Sequence, residues 1–381
     1  MSLPRLAVLC DYPEEGWPSM DLCAEMLCRH LATDHAASVR TTRICPQFRR
    51  RASILPIVRK RKAARNLDRL LNRFWDYPRY LRRHAGTFDF FHICDHSYSQ
   101  LVHGLPSECT GVYCHDLDTF RCLLEPHREP RPRWFRLLAR RILAGFQKAA
   151  IVFHNSKFTR CQIEKYGLID PSKLIYAPHG IAAEFTPQPA RDAAEESLLA
   201  GLNGRPFLLH VGSCIPRKRI DVLLDVFARV RAHHRDLMLV QVGGSWTASQ
   251  QEQIERLGFG ESVRQLRGLE RKELAALYRR ARVVLQPSEA EGFGLPVVEA
   301  LACGSIVVAS DIPVLREVGG EAAVYCPVAD ISAWADTVCW LLSQPSAAPE
   351  LSTRLAHAQR YSWAAHARTI LTAYQKLLSP S

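Results

Sequence analysis

Residues 288–301, SEAEGFGLPVVEAL, carry the densest set of groups able to do chemistry in this chain. Glu291 and Glu299 stand eight residues apart, one in a loop and one expected in the first turn of a helix. Pro296 suits such a helix start. Each carboxylate can accept two hydrogen bonds from vicinal hydroxyls, as on a ribose or a hexose. Gly292 and Gly294 let backbone approach a ligand closely. A helix N-terminus after a glycine-bearing loop presents free N–H groups to an anion. Taken singly, Glu299 reads equally as a complement to the helix dipole, and Glu291 as a solvent-facing loop residue. The string as a whole reads as a site.

Arg217 and Lys218 form a second set, just after the apolar run 207–212 and beside Pro216. Two cations there can neutralise a diphosphate and make it a better leaving group. His115, followed by Asp116, ends the run TGVYCHD, at what would be the C-terminal edge of a parallel sheet. Gly16 and Trp17 follow the first apolar run, in an ordinary βα turn or a ligand loop. Asn155 and Ser156 read as a helix cap, and His179-Gly180 as a turn. No Asp-x-Asp cluster is present to hold Mg²⁺, so no metal or cofactor is expected. The thirteen cysteines include no Cys-x-x-Cys pair and no His-rich partner segment, so no zinc site is expected. They read as small buried hydrophobes suited to a reducing compartment. Dinucleotide, P-loop and nucleophile-elbow fingerprints are absent, against a dehydrogenase, a P-loop ATPase and an α/β-hydrolase.

The elements that must position these groups alternate between short apolar runs and helical patterns, the sign of βαβ units. Strands are expected at 5–11, 38–45, 88–94, 110–115, 150–154 and 174–177, with helices at 20–32, 61–83, 133–148 and 156–166. Residues 184–205, rich in Pro, Ala, Glu and Gly, read as a linker. A second series expects strands at 207–212, 237–242, 282–286, 305–309 and 322–326, and helices at 219–234, 248–257, 271–281, 296–303 and 330–344. The 381 residues therefore divide into two doubly wound α/β domains, 1–190 and 200–360. Ligands of such sheets bind beyond the C-terminal strand ends, and the expected site is a cleft that the two domains face across.

These residues resemble the retaining glycosyltransferases of family 4, which have the GT-B fold of two Rossmann-like domains. The string 288–301 is similar to that family's E-x7-E motif. The segments 210–230, 264–288 and 309–330 resemble its following blocks, and 153–167 with 177–181 its inter-domain segment. Residues 361–378 look like its closing helix, which implies that 361–381 return to the N-terminal domain. The resemblance implies transfer of a hexose, with retention, from a UDP- or GDP-sugar to a saccharide or lipid-linked acceptor held by the N-terminal domain, in polysaccharide biosynthesis. It implies that Glu299 binds the donor ribose and that Glu291 lies near the transferred sugar. Phe293, Gly294 and Leu295 would contact the sugar or phosphate by their backbone. Gly212, Arg217 and Lys218 would serve the diphosphate, and Gly16 would approach it. Arg267 and Gly268 would lie where the base is read, and His115 would orient acceptor or sugar. The family's arginine near Gly212 is Ser213 here, and Arg217 takes its role.

The net charge of +12 sits almost wholly in residues 1–190, which hold 29 basic and 18 acidic residues. It peaks at 49–83, where only Asp68 and Asp76 are acidic. A basic face seeks phosphate. With Trp75, Tyr77 and Tyr80 in it, this stretch reads as a dock for an anionic membrane surface or as a solvated face. No stretch approaches the roughly 20 apolar residues of a spanning helix, and no signal peptide is visible. A cytoplasmic protein, at most peripheral at the inner membrane face, is expected. The rival readings are a nucleotide-sugar epimerase or a phosphorylase on the same fold, and a nucleic-acid-binding protein using 49–83. Few aromatics and no recognition motif accompany that stretch, so no nucleic acid is expected.

Overall fold

The computed structural model describes residues 3–54, 62–188, 198 and 200–378. Residues 55–61 of the basic stretch and most of residues 189–199, within the expected 184–205 linker, thus lie outside the described residues. The chain divides into two compact units: one runs up to His179 and resumes from Trp363, the other is Gly180–Ser362.

The first unit is built on six parallel strands: β1 (Arg5–Leu9), β2 (Arg40–Ile44), β3 (Phe90–Ile93), β4 (Thr110–Cys114), β5 (Ile151–His154) and β6 (Leu174–Tyr176). Their order across the sheet is β2-β1-β3-β4-β5-β6. Parallel strands covered on both faces read as continuous apolar runs, and β3, β4 and β5 are buried at every position. Alternate residues still face opposite ways. Leu6, Val8 and Cys10 join Leu27, Phe153 and Tyr374 in one core, while Ala7 and Leu9 join Tyr77, Ile93 and Phe146 in the other.

Among the described residues this unit's helices are α1 (Pro18–Asp34), α2 (Lys62–Leu71), α3 (Tyr77–His84), α4 (Arg121–Leu124), α5 (Arg133–Lys148), α6 (Lys157–Lys165) and, last in the chain, α14 (Trp363–Leu378). The Tyr374 hydroxyl of α14 donates to the Phe91 carbonyl at 2.9 Å. Gly111 makes room for it, since a Cβ there would lie 2.4 Å from that hydroxyl. The single helix expected over 61–83 is instead interrupted by a π turn at Asn72–Asp76. Buried Asn72 explains it, donating to the carbonyls of Arg49 and Asp68 and accepting from Arg49 N–H.

The second unit holds β7 (Phe207–Val211), β8 (Met238–Val242), β9 (Val263–Leu266), β10 (Val283–Gln286), β11 (Val307–Ser310) and β12 (Val324–Cys326), in the order β12-β11-β10-β7-β8-β9, all parallel. Its helices are α7 (Ile220–His233), α8 (Ala248–Arg256), α9 (Arg271–Arg280), α10 (Leu295–Ala302), α11 (Pro313–Gly319), α12 (Ile331–Ser343) and α13 (Leu351–Ala358). Strand β9 and helices α11 and α13 are additions to the elements expected from pattern alone. Strand β9 is an edge strand, half-buried throughout, so its sequence VRQL shows no apolar run.

In each sheet the order reverses once, between β1 and β3 in the first and between β7 and β10 in the second. Ligands of open parallel sheets bind outside the strand ends at such reversals.

Candidate functional site

The reversal in the second sheet is where the sequence concentrated its charged groups. The loop leaving β7 turns through a short 3-10 segment, Pro216–Lys218, before α7. The loop leaving β10 runs to α10, whose cap is Gly294 at φ 102°. That left-handed conformation, with the Leu315 side chain 2.7 Å from where a Cβ would stand, explains the glycine. The two loops are joined by backbone, Glu289 N–H donating to the Arg217 carbonyl at 2.9 Å.

Side chains join them more strongly. Lys218 Nζ donates to Glu291 Oε1 at 2.6 Å, and Arg217 Nη1 lies 3.4 Å from Oε2. Gln286 Nε2 and Ser288 Oγ also donate to Oε1, each at 2.7 Å. Burial alone would raise this carboxyl, but Lys218 and Arg217 hold it down at about 2. Glu291 is thus a fixed anion with no proton to give. Lys218 and Glu291 are both buried, so the two charges lean chiefly on each other. His210 of β7 is kept neutral by burial and by the Lys218 charge, at about 3.

Glu299 sits in the opposite environment. It is the fifth residue of α10, just past the first turn in which it was expected. Its described hydrogen bond is the 3.0 Å donation from Tyr278 to Oε2. Burial pushes its carboxyl up to about 7, opposed by Tyr278 and Arg271. Two glutamates of one loop and helix are thus separated by about five pH units in their tendency to ionise.

The remaining candidates of this unit also lie at strand ends. Gly212 ends β7; its carbonyl accepts from Gln241 Nε2 at 2.7 Å, and Gln241 Oε1 accepts from Gln265 at 2.9 Å. Arg267, beyond β9, is exposed and bonds Gln265, and Gly268 is exposed beside it. The Phe293 ring is buried edge-on against Tyr361, centroids 5.5 Å apart, and Leu295 begins α10. Sequence reasoning passed over Gln241, Gln265 and the pair Gly243-Gly244. A Cβ on Gly243 would stand 2.5 Å from the Gly212 carbonyl oxygen, so β8 must end in glycine for these loops to meet. The glycine doublet after the apolar run MLVQV was the available signal.

Gly16 and His115 belong to the first unit. Gly16, at φ 74°, closes the 3-10 turn Pro13–Glu15 ahead of α1. His115 follows β4 and is buried, its Nε2 bonded to the Cys94 carbonyl at 2.8 Å. Asn155 Nδ2 donates to the His115 carbonyl, and Ser156 caps α6. At this sheet's reversal the structure adds Asp11, Asp95 and His96, all buried. Burial and the neighbouring Asp95 raise Asp11 well above the carboxylate range, while His96 overcomes burial to hold Asp95 down.

Among the described residues no helix is long and apolar enough to cross a membrane. Trp75 (55% exposed), Leu67 and Tyr80 stand out from the described part of the basic stretch, with the Arg79 guanidinium over the Trp75 ring.

Two family profiles match in tandem: Glycosyltransferase Family 4 over residues 22–185 and Glycosyl transferases group 1 over residues 199–361. The O-antigen chain mannosyltransferase B of Escherichia coli is 26% identical over 267 residues, 69% of each chain. Further curated glycosyltransferases, 28–32% identical, are matched over about half of their own length. In fold, sucrose-phosphate synthase from Thermosynechococcus elongatus superposes with a TM-score of 0.74 at 20% identity, covering 99% of this chain and 100% of that one. Anabaena HepE, solved with UDP and glucose, gives 0.70 at 16% identity, over 97% and 98%.

Two measurements test the electrostatics. Lys218→Met leaves the Glu291 anion buried beside Arg217 alone, and should lower the unfolding free energy by about 3–5 kcal/mol in chemical denaturation. Lys218→Met with Glu291→Gln should recover part of that loss; a double variant no more stable than the single one contradicts the pairing. For Glu299, the folded protein binds more protons than the unfolded chain between its ordinary value of 4.5 and about 7. Stability should therefore fall as pH rises through that window, by about 3 kcal/mol in all. Glu299→Gln should flatten that slope, and an unchanged slope would place the titration elsewhere.

Proposed function

This chain belongs to the glycosyl transferases group 1 family, with the GT-B fold, and we propose that it moves a hexose from a nucleoside-diphosphate sugar onto a saccharide or lipid-linked acceptor with retention of configuration. The observation that carries this reading is the cation pair at the β7–β10 reversal, facing the start of α10. Arg217 and Lys218 both lie against Glu291, at 3.4 and 2.6 Å. Two cations beside free helix N–H groups suit a diphosphate. The UDP bound in the structurally similar HepE supports a nucleotide of this kind.

In this reading the sugar C1–O bond to the diphosphate breaks, and Arg217 and Lys218 stabilise the charge that builds on the leaving oxygen. The acceptor hydroxyl oxygen bonds to C1 on the same face, and its proton passes to that leaving oxygen. Glu291, its Oε1 already saturated, contributes by holding Lys218 and through Oε2. Glu299 gives its proton up to solvent on accepting the ribose hydroxyls, which join Tyr278 as donors to it. Gly212, Gly294 and Leu295 approach the donor by backbone, and Arg267 with Gly268 borders the base. Gly16 and His115 serve acceptor or sugar from the first unit. No metal takes part, because the cations and the helix terminus do its work.

The acceptor class suggested by the O-antigen mannosyltransferase relative is a growing surface polysaccharide. Exposed Trp75 and Tyr80 among arginines favour a dock on an anionic membrane surface, where such an acceptor is presented.

The first test is ligand-induced thermal stabilisation with UDP, GDP, ADP and their sugars, without metal. One nucleotide class should stabilise the wild type by several degrees, and Glu299→Ala should abolish the shift. No shift with any of them counts against the donor site. Proton NMR of the first product formed should show the anomeric configuration of the donor; inversion would sink the retaining mechanism. For the membrane dock, co-sedimentation with phosphatidylserine-containing vesicles should fall steeply between low and high salt. Binding indifferent to salt contradicts an electrostatic dock.

A further inference from the structure

Three buried groups of the first unit converge although no sequence motif links them. Cys23 comes from α1, His115 from the end of β4 and His179 from the segment after β6; they are 6%, 4% and 2% exposed. One donor atom of each, the Cys23 sulfur and a ring nitrogen of each histidine, lies within 4.8 Å of the others. Cys23 Sγ is 3.5 Å from His179 Nδ1 and 3.9 Å from its Nε2. The two imidazoles stack, centroids 5.3 Å apart and planes inclined by 23°.

His115 shows that this is more than packing. Its Nε2 lies 2.8 Å from the Cys94 carbonyl, which can only accept, so Nε2 carries the proton. In the neutral ring Nδ1 is then a bare lone pair, and it is buried without a hydrogen-bond partner. Leaving such a group unsatisfied is costly. A ring fixed by a carbonyl on one nitrogen, with the other nitrogen open, is the arrangement of a metal-ligating histidine. His179 has a comparable support: the Tyr113 hydroxyl lies 3.3 Å from its Nδ1 and itself donates to the Ala177 carbonyl at 2.6 Å.

We propose that Cys23, His115 and His179 form a binding site for a single thiophilic divalent cation, zinc by preference. One sulfur and two imidazole nitrogens match zinc and exclude magnesium or calcium, which take oxygen ligands. Tetrahedral zinc at its usual bond lengths sets its ligand atoms roughly 3.3–3.8 Å apart, so ligand atoms now within 4.8 Å of one another need to close in by at most about 1.5 Å. Binding forms a Zn–S bond and two Zn–N bonds, and the Cys23 thiol proton leaves to solvent. The fourth position is left to water. The cation ties α1, the β4 edge and the segment at His179 together, and it occupies the one nitrogen that His115 has left. This site is separate from the diphosphate site in the second unit, and it draws on His115, which the transferase reading also uses, through the Nδ1 that the Cys94 contact leaves open.

The experiment uses the full-length protein stripped of metal by a chelator and titrated with Co²⁺ under reducing conditions. A thiolate-to-cobalt charge-transfer band should grow and saturate at one Co²⁺ per chain. Zn²⁺ should then abolish it by displacement, and about one proton should be released per Zn²⁺ bound. Cys23→Ser should lose the band while keeping its thermal unfolding transition. A folded wild type with no saturable band, or a band that survives Cys23→Ser, overturns the site. Should Cys23→Ser fail to fold, X-ray absorption of the zinc-loaded wild type decides. A shell of one sulfur with two nitrogens supports the proposal, and an all-oxygen or several-sulfur shell overturns it.

Discussion

The Lys218–Glu291 ion pair, 2.6 Å between nitrogen and oxygen, is the contact on which the rest of the second unit's site depends. Taking two charges out of water costs several kcal/mol per ion, and the structure offsets that with an unusual number of donors. Three converge on a single oxygen of Glu291, from Lys218, Gln286 and Ser288. Those donors come from the loop after β7, from β10 itself and from the loop after β10, so the pair forms only when both strands are in register. Arg219 pays for the tight turn that results, at φ 50°, and is held there by Asp221 and Glu289. The starts of α7 and α10 are thereby set, and with them the direction of their free N–H groups.

The same local rule yields opposite outcomes for the two carboxylates. Glu291 and Glu299 are both buried, which alone would favour the protonated form of each. Glu291 has two cations and stays ionised. Glu299 has a neutral phenol and a distant Arg271, and titrates near neutrality. Environments that push like groups apart mark sites where charge is managed during a reaction. The first unit repeats the pattern at its own reversal, where burial raises Asp11 and His96 holds Asp95 down.

The parts legible in the sequence were those written in consecutive residues. Apolar runs located eleven of the twelve described strands, and one contiguous string contained Glu291, the capping Gly294 and Glu299. The elements that escaped carry their reasons in tertiary structure. Strand β9 lies at an edge and needs no apolar run. The π turn exists because Asn72 reaches back 23 residues to the Arg49 backbone. The state of Glu299 depends on Tyr278, 21 residues earlier, and that of Glu291 on Lys218, 73 residues earlier. Cysteine spacing argued against a zinc motif for the same reason that it passed over Cys23, His115 and His179. Local motifs report ligands that one turn brings together, whereas these three arrive from a helix, a strand end and a loop.

That distribution follows from the topology. A parallel sheet ends all its strands on one edge, and covered faces leave that edge as the place where side chains can be polar. Each strand interior is therefore apolar and recognisable, while each strand end is polar and defined by its neighbours. Gly212, Gly243, Arg267 and the 288–294 loop are adjacent in space because β7, β8, β9 and β10 all stop at that edge. Partners at such an edge are separated in sequence by whole βα units. A charge placed there has no local compensation, so it must be matched by another strand's loop or by a ligand. Lys218 is matched by Glu291, and Arg217 by the far oxygen of the same carboxylate at 3.4 Å and by the Ala290 carbonyl at 2.9 Å, so at this edge the loops after two neighbouring strands hold each other's charges.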